Sequence, residues 1–466
     1  MNAFFSIPSY APRMVTLPLP LPRVGAAVPV VAGTAALMAA TAFLSPPLLT
    51  PLIAAMLALG SLLLTWRHLT AAWVVWILAA GLSPEMAITD LIGPEAFQPT
   101  IAAIKGGEIG LVALMILRHG MLPDRFNPAW AFVAISIMNL IAGVHPDLAP
   151  ADMLRSAAGS LTPFLVFFCL HPPGWGAAVR RAVCFAPLLS VMLGSALDLL
   201  GLRSVFFDSG GIRLAGLGHP AFLAGVCLPA IYAGLLHWLR TASPRAALLT
   251  GINLLILLLT GARAPLAYAA LVVGGSLIAA PGSAVPYAHR LALIAAGLAA
   301  VPVLLVLGEA YSSLRLFEVL SGDASHLSGR ELLWPAFEEA SSRAPWFGWG
   351  LGSGNLVIPH DGPIALLLRT WAAHNEYLRI QVEAGHVGRS LLILFFTVWA
   401  ITHTRRLPRL ERLVMRLIFV SFAAHAATDN VLISTPACVL FAFIAAVLAD
   451  AEDATRSGLR DAANVA

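Results

Sequence analysis

Residues 328–388 read SGRELLWPAFEEASSRAPWFGWGLGSGN, LVIPHDGPIALLLRTWA and AHNEYLRIQVEAGHVG. The stretch carries arginines, carboxylates and a histidine followed by an asparagine, and it is the longest piece of the chain that cannot lie inside a membrane. Apolar runs long enough to cross a bilayer flank it on both sides. We therefore expect the rest of the chain to hold this polar stretch at one face of a membrane.

The chain as a whole is strongly apolar. Of its 466 residues, 59% are hydrophobic and 11% are charged, against about 25% charged in soluble proteins, and the mean hydropathy is +0.84. The apolar runs are continuous rather than alternating, which favours helices over a β-barrel. The sequence predicts an all-α polytopic membrane protein of about 12–14 transmembrane helices.

The predicted chain has five parts. A cytoplasmic tail spans 1–24, eleven transmembrane helices span 25–308, a large outer loop with short helices spans 309–377, three more helices span 378–449, and a second cytoplasmic tail spans 450–466. The predicted spans lie near 25–43, 48–65, 69–84, 101–117, 128–144, 156–170, 179–200, 217–238, 246–260, 264–280, 290–308, 378–401, 412–428 and 434–449.

The orientation follows from the arginines of the short loops, which favour the cytoplasmic side. Counting spans from an inner N-terminus puts most of these arginines inside. The opposite face then receives the loops 85–100, 145–155, 201–216, 261–263, 309–377 and 429–433. In a Gram-negative cell this face is the periplasm, which lacks nucleotide sugars, so a reaction there needs an activated substrate carried on a lipid.

The net charge of +4 and the pI near 9.1 are explained by this arginine bias. Basic clusters interleaved with aromatics in a soluble domain are absent from the sequence, so we expect no nucleic-acid partner. The four cysteines, which form no CxxC pair, lie in or beside apolar runs and are expected to be core residues. We expect neither a metal nor a cofactor. His360-Asp361 lies in a turn without a diagnostic metal-ligand spacing.

Arginines on the outer face oppose the topology bias and need a reason, and three of them are candidates for a function. Arg213 precedes a span, Arg263 lies in a tight apolar turn between two spans, and Arg330 lies in SGRELLW. Each is either a solvated loop residue or a ligand for an anion. A guanidinium is planar, permanently charged and suited to bidentate phosphate binding, so arginines converging at one face would suit a lipid diphosphate.

His374 begins a span on the same face and is the candidate general base, because its ordinary pKa lies near neutrality. The alternative is an interfacial polar residue at the helix start. Asn375 could cap that helix, and Glu376 is a second candidate base or an orienting carboxylate. His219, at another outer helix start, is a candidate for the substrate-binding group that also includes Arg213, Asn375 and Glu376.

Further polar features have mainly structural interpretations. Ser328 and Glu331 fit a capping box that opens a helix with Arg330 in its first turn. The glycine-rich turn at 348–354 is not a dinucleotide motif and is expected to let backbone segments approach closely. Lys105 and Glu108, one turn apart, are expected to form an internal ion pair, with a substrate role left open.

Four segments together resemble the O-antigen ligase and polymerase superfamily (Wzy/WaaL-like proteins). They are RLAGLGHPAFLAG at 213–225, LLTGARAPLAYAALVVG at 258–274, the large-loop pattern at 328–355 and HNEYLRIQVEAGHVG at 374–388. The family's G-S-R-G segment is altered here, since Ala262 replaces the serine and Ala264 the final glycine. The resemblance covers roughly 200–430.

The resemblance implies a GT-C-like helical fold in the bacterial inner membrane and a metal-independent, inverting glycosyltransferase on the periplasmic face. The donor would be a glycan on undecaprenyl diphosphate, and the acceptor lipid A-core sugar for a ligase or another carrier-linked glycan for a polymerase. By position, the family's roles fall on Arg213, Arg263, Arg330 and His374.

The sequence leaves ligase and polymerase nearly even. A lipid-linked glycan transporter or flippase, which would place ionisable groups near the membrane midplane and show internal repeats, is the alternative of another class. A structural membrane protein is a third.

Overall fold

The computed structural model describes residues 62–208, 211–280, 330–368 and 370–465, with a few positions between 286 and 295. It is predominantly helical. The helices are α1 (Leu69–Leu82), α2 (Glu85–Ile92), α3 (Phe97–His119), α4 (Ala129–Ala142), α5 (Pro150–Leu165), α6 (Trp175–Leu199), α7 (Pro220–Thr241), α8 (Pro244–Leu259), α9 (Arg263–Ala279), α10 (Arg330–Arg343), α11 (Pro363–Leu368), α12 (Glu376–Arg405), α13 (Arg409–Ala426) and α14 (Thr435–Val465).

Five helices in the described part are long and apolar enough to cross a membrane, and α1 and α2, bent by 66° at Ser83-Pro84, form a sixth candidate if they are one broken span. The protein is therefore a multi-pass helical membrane protein. The five are Pro94–His119, Trp175–Leu199, Pro220–Thr241, Glu376–Arg405 and Thr435–Asp453. The predicted spans 25–43, 48–65 and 290–308 lie wholly or largely outside the described residues.

α7 and α14 form the centre of the bundle. The membrane-length windows of these helices are 78% and 72% buried, whereas those of α3 and α12 are each 28% buried. Large apolar side chains such as Ile141 and Leu199 are exposed on the outside of the bundle, as expected where lipid rather than water is the solvent. All four cysteines are buried free thiols, as predicted.

A two-stranded antiparallel hairpin interrupts the helices between α6 and α7. β1 (Phe206–Asp208) pairs with β2 (Ile212–Leu214), and Phe207 lies opposite Arg213. These strands are not predicted from the sequence, because each has three residues and shows no alternating pattern long enough to recognise.

The polar segment between α10 and α12 docks onto α12 through an exchange of backbone hydrogen bonds. Gly385 has φ 63° and ψ −167°, which breaks the α12 ladder. The carbonyls of Val382 and Glu383 accept from the N–H groups of Trp349 (2.8 Å) and Gly350 (3.0 Å). In return, His386 N and Val387 N donate to the carbonyls of Pro345 and Trp346 at 2.8 and 3.1 Å.

The glycine-rich turn makes this approach possible. A Cβ atom on Gly348 would lie 2.4 Å from the Ala384 nitrogen, and one on Gly385 would lie 2.3 Å from the Trp346 carbonyl carbon. The turn therefore brings backbone against backbone, which confirms the structural role predicted for it.

α10 and α11 cover the start of α12 with a second apolar core. Leu333, Phe337, Ala373 and Val382 are buried together in it. The Nε1 atom of Trp334 donates to the Ala373 carbonyl at 2.9 Å, which fixes α10 beside the start of α12.

The predicted start of α10 lies only partly within the described residues. Arg330 is the first helical residue that the structure describes, and α10 continues through Pro335. The predicted capping box lies outside the described part, since Ser328 and the side chain of Glu331 do not belong to it.

Candidate functional site

Several helix ends and connecting segments meet at one end of the bundle. Arg213 of β2 donates from Nε to the Thr260 carbonyl at the end of α8 (2.8 Å). The Tyr268 hydroxyl of α9 lies 2.8 Å from Thr428 Oγ1, just after α13. The start of α12 is bonded to the same α13–α14 connection through His374. β2 thus contacts the end of α8, and the α13–α14 connection contacts both α9 and the start of α12.

His374 forms the centre of this end. Its Nδ1 atom lies 3.0 Å from Asp429 Oδ1, and its Nε2 atom lies 3.1 Å from Thr370 Oγ1. The side chains of His374 and Asp429 are 32% and 37% exposed, so the pair remains accessible. His374 also has φ 46°, in the left-handed region that few non-glycine residues adopt, and it directly precedes the first turn of α12.

Asp429 is held as a carboxylate. Burial by itself raises the pKa of its carboxyl group, but the hydrogen bond and charge of His374, the charge of His425 and the backbone N–H of Asn430 outweigh it. The resulting pKa is lowered to about 2. At neutral pH Asp429 is ionised and can only accept hydrogen bonds.

This charge state fixes the roles of the two imidazole nitrogens. Because Asp429 can only accept, Nδ1 of His374 must carry the proton that is donated to it. In the neutral imidazole, Nε2 is then a proton acceptor, and the Thr370 hydroxyl donates to it. An acceptor nitrogen oriented by a carboxylate on the far side of the ring is the arrangement of a general base.

His219 and Arg213 lie on the adjacent side of this end. The Nδ1 atom of His219 accepts from Ala221 N at 3.3 Å, which caps α7. Burial, followed by the positive charges of Arg213 and Arg203, lowers the pKa of His219 to about 4. Asp429 lies close enough for its charge to act on the same imidazole. His219 is therefore neutral at pH 7 and lies near the His374–Asp429 pair.

Arg203 fixes the turn that precedes His219. It donates from Nη1 to the Leu217 carbonyl at 2.5 Å and from Nη2 to the Gly218 carbonyl at 2.6 Å. Its Nε atom pairs with Asp90 Oδ2 at 2.7 Å. Arg203 thus uses its guanidinium within the protein and joins the α6–β1 connection to α2.

Arg263 and Arg330 are the first residues of α9 and α10. Arg263 is exposed and follows the Gly261 turn, three positions after the Thr260 carbonyl that binds Arg213. Arg330 is half-buried, and its charge acts on His425, the residue whose carbonyl accepts from Asp429 N. Among the described residues, neither guanidinium forms an ion pair with a carboxylate. Both cations remain available to an anionic ligand.

Asn375 and Glu376 make their hydrogen bonds within the protein. The Asn375 side-chain oxygen caps α12 by accepting from Tyr377 N (3.0 Å) and Leu378 N (3.2 Å). Glu376 is 2% exposed and accepts from Arg379 Nε at 3.0 Å. Arg379 also donates to Glu383 at 2.7 Å, which completes a buried triad. A substrate-binding role for Asn375 and Glu376 stays a prediction.

The predicted ion pair between Lys105 and Glu108 is wrong. Lys105 Nζ donates to the carbonyls of Ile433 (2.7 Å) and Gly159 (3.2 Å). Glu108 is completely buried, and among the described residues it forms no ion pair with Lys105. Lys105 is used instead to hold the α13–α14 connection, four residues from Asp429, because two backbone carbonyls that lack helical partners lie within its reach.

Sequence reasoning missed three contributors: Asp429, Thr370 and Arg203. Asp429 lies in the short connection between the last two spans, and a carboxylate in that outer connection was the available signal. The pairing of Asp429 with His374 joins positions 55 residues apart, which no local pattern reveals. Thr370 carries no sequence signal that distinguishes it from other hydroxyl residues.

Comparison with protein families matches residues 246–393 to the family described as O-antigen ligase. The match covers about a third of the chain and includes Arg263, Arg330 and His374, while Arg213, His219 and Asp429 lie outside it. No curated protein matches the sequence. The family resemblance predicted from the sequence is confirmed for the matched region.

Proposed function

We propose that this chain, which carries an O-antigen ligase domain at residues 246–393, is a membrane glycosyltransferase. It transfers a glycan from undecaprenyl diphosphate to an acceptor hydroxyl at the periplasmic face of the inner membrane, on a GT-C-like scaffold. The His374–Asp429 pair, which joins the matched domain to the connection after α13, is the observation that carries the proposal.

In this mechanism His374 removes the acceptor's proton. The acceptor hydroxyl takes the position of Thr370 at Nε2, and the proton passes to that nitrogen as the acceptor oxygen attacks the anomeric carbon. Asp429 stabilises the imidazolium that forms. The bond from the anomeric carbon to the diphosphate oxygen breaks, and the stereochemistry at that carbon inverts. General-base assistance of this kind is typically worth about 10²–10⁴ in rate.

The arginines stabilise the leaving group. Arg263 begins α9 at this end and adds its charge to the free backbone N–H groups of that helix N-terminus. Arg330 is the first described residue of α10. Neither arginine has a carboxylate partner among the described residues. Arg213 assists from β2. Preorganised cations of this kind offset the negative charge that grows on the diphosphate as the glycosidic bond breaks.

An apolar cavity of about 100 Å³ beside the start of α12 supports a lipid-linked donor. Ile380, Leu392 and Phe396 of α12 line it together with Phe422 of α13. We assign it to the first part of the polyprenyl tail, because apolar side chains next to the polar site match a ligand with a charged head and a hydrocarbon chain.

The decisive experiment is transfer by the purified protein from undecaprenyl-diphosphate glycan, together with glycan analysis of cells that lack it. We expect carrier-linked glycan to be consumed and the new bond to have the opposite anomeric configuration. Loss of all polymer from lipid A identifies a ligase, whereas caps of a single repeat identify a polymerase. Transfer that is absent with both acceptors contradicts the proposal.

A further inference from the structure

A second cavity, of about 290 Å³, lies within the large polar segment, between α10, the turn at Ser353–Leu356 and the start of α12. We call it the loop cavity. Its chemically distinctive lining residues are His145, Glu339, Arg343, Trp349 and Ser353. It is separate from the apolar cavity beside α12, with which it shares no lining residue.

We propose that the loop cavity binds one sugar residue of a glycan substrate, at a distance from the bond that is transferred. The inference rests on the proposed glycosyltransferase function and adds a second point of contact with the glycan. The volume is near the lower limit of about 300 Å³ for small-molecule pockets, which suits a single sugar ring.

An aromatic wall and polar groups face each other in this cavity. Trp349 is fixed by a hydrogen bond from Nε1 to the Ala340 carbonyl (2.8 Å), and its ring packs at 5.3 Å against His145. A rigid indole offers a large apolar surface to the C–H face of a pyranose. Glu339 and Arg343, one helical turn apart on α10, pair with each other beside it and supply an acceptor and donors for sugar hydroxyls.

Ser353 provides an independent indication of a ligand. It is 3% exposed, it lines the cavity, and its Oγ atom has no hydrogen-bond partner among the described residues. A buried hydroxyl without a partner costs free energy. A sugar hydroxyl would satisfy it once the Ser353 side chain turns toward the cavity.

The charges of the cavity distinguish it from the diphosphate site. Glu339 would repel a phosphate, whereas Arg263 and Arg330 have no carboxylate partner within the described part of the chain. A carboxylate beside a guanidinium suits a ligand with both donors and acceptors, which is the chemistry of a hydroxyl-rich sugar rather than of an anion.

The position of the cavity along α10 sets its distance from His374. Trp334 is bonded to Ala373, next to His374, and Glu339 lies five residues further along the helix. At about 1.5 Å per residue, this is roughly 8 Å along the axis, and Arg343 is roughly 6 Å further. The loop cavity therefore extends further along α10 than the contact between Trp334 and Ala373.

The test is direct binding of soluble oligosaccharides to the detergent-solubilised full chain, measured by saturation-transfer NMR. The probes are the oligosaccharide released by mild acid from the cell's carrier-lipid fraction, and the oligosaccharide of the surface acceptor. We expect one of the two to bind, which identifies the source. Arg343→Gln and Glu339→Gln should each raise the Kd for the oligosaccharide that binds by about tenfold, the effect of losing one charge-assisted hydrogen bond.

Glu338→Gln is the matched control, since Glu338 is exposed on the same helix and does not line the cavity. It should bind as the unmodified protein does. The proposal is overturned if neither oligosaccharide binds or if the Glu339 and Arg343 variants bind as the unmodified protein does. It is also overturned if Glu338→Gln weakens oligosaccharide binding as much as these variants do. Oligosaccharide binding is measured without glycan transfer, so the two proposals can fail separately. Binding that the Glu339 and Arg343 variants weaken, in a protein that transfers no glycan, contradicts only the proposed function. Glycan transfer by a protein that shows no such binding contradicts only the role of the loop cavity.

Discussion

His374 Nδ1 lies 3.0 Å from Asp429 Oδ1, and this contact joins the start of α12 to the connection after α13 across 55 positions of sequence. The carboxylate fixes which imidazole nitrogen carries the proton. It therefore makes the opposite nitrogen, Nε2, the one that can accept a proton from a substrate. The reactivity assigned to His374 depends on Asp429 in this way, and the first two predictions test it.

Replacement of His374 by glutamine should abolish most transfer while leaving the protein folded. The amide keeps hydrogen bonding but cannot accept the acceptor's proton, so kcat should fall by about 10²–10⁴. Turnover of purified protein with carrier-linked glycan measures this, and the unfolding temperature controls for folding. Near-normal turnover by the variant would remove His374 from the mechanism.

Asp429→Asn should lower kcat because the amide no longer selects the productive tautomer or stabilises the imidazolium. The pKa of about 2 means that Asp429 stays ionised at every pH well above 2. A fall in turnover of the unmodified protein at mildly acid pH therefore does not come from this carboxyl group. We expect the double variant with His374→Gln to be hardly slower than His374→Gln alone, because the two residues act as a unit.

Asp361→Asn is the control for that change, since Asp361 is an exposed aspartate in the polar segment that contains His374. It should leave turnover unchanged. Fully additive losses in the double variant would mean that Asp429 acts independently of His374.

Arg263→Gln and Arg330→Gln should each weaken use of the diphosphate donor. Loss of a charge-assisted hydrogen bond costs about 1.5–3 kcal/mol, or roughly 10–100-fold in kcat/KM. Lysine at either position should restore part of the loss, because it keeps the charge but not the forked geometry. Arg245→Gln, an exposed arginine at the opposite end of α8, should have no effect. Equal losses in all three variants would argue against a specific diphosphate site.

Gly385→Ala should destabilise the protein by several kcal/mol. The residue has φ 63°, and its new Cβ would lie 2.3 Å from the Trp346 backbone. Left-handed geometry alone costs about 1–2 kcal/mol. Gly110→Ala, at a helical position with nothing within 4 Å of the added atom, should be neutral or stabilising by about 0.5–1 kcal/mol. Thermal unfolding in detergent compares the two, and equal effects would show that the docking at Gly385 is not rigid.

His219 should make stability depend on pH. Its folded-state pKa of about 4 lies below the ordinary value of about 6.5, so the unfolded chain takes up the proton first. Stability from this group is present above about pH 6.5 and is lost as the pH falls toward 4. His219→Asn keeps a capping side chain but removes the titration, so its unfolding temperature should fall less between about pH 7.5 and 5. An identical fall would contradict a neutral, buried imidazole.

Much of the helical architecture could be predicted because lipid imposes simple constraints. A span must be apolar over about 20 residues, and the predicted 179–200 and 217–238 correspond to Trp175–Leu199 and Pro220–Thr241. The β-hairpin and the break at Gly385 could not be predicted in the same way. Both depend on partners distant in sequence, and the break is compensated by hydrogen bonds from the glycine-rich turn.

The sequence by itself determined that the chain crosses a membrane repeatedly and which polar residues lie at or near the starts of its helices, among them Arg263, Arg330 and His374. Hydropathy and helix punctuation are local properties, so the sequence displays them directly. Only the tertiary structure decided which of these groups have partners. In the structure His374 pairs with Asp429, and Lys105 donates to backbone carbonyls rather than to Glu108. The side chains of Asn375 and Glu376 make their hydrogen bonds at the start of α12. Hydrogen bonds and ion pairs act over a few ångströms, and the fold alone decides which distant residues come that close.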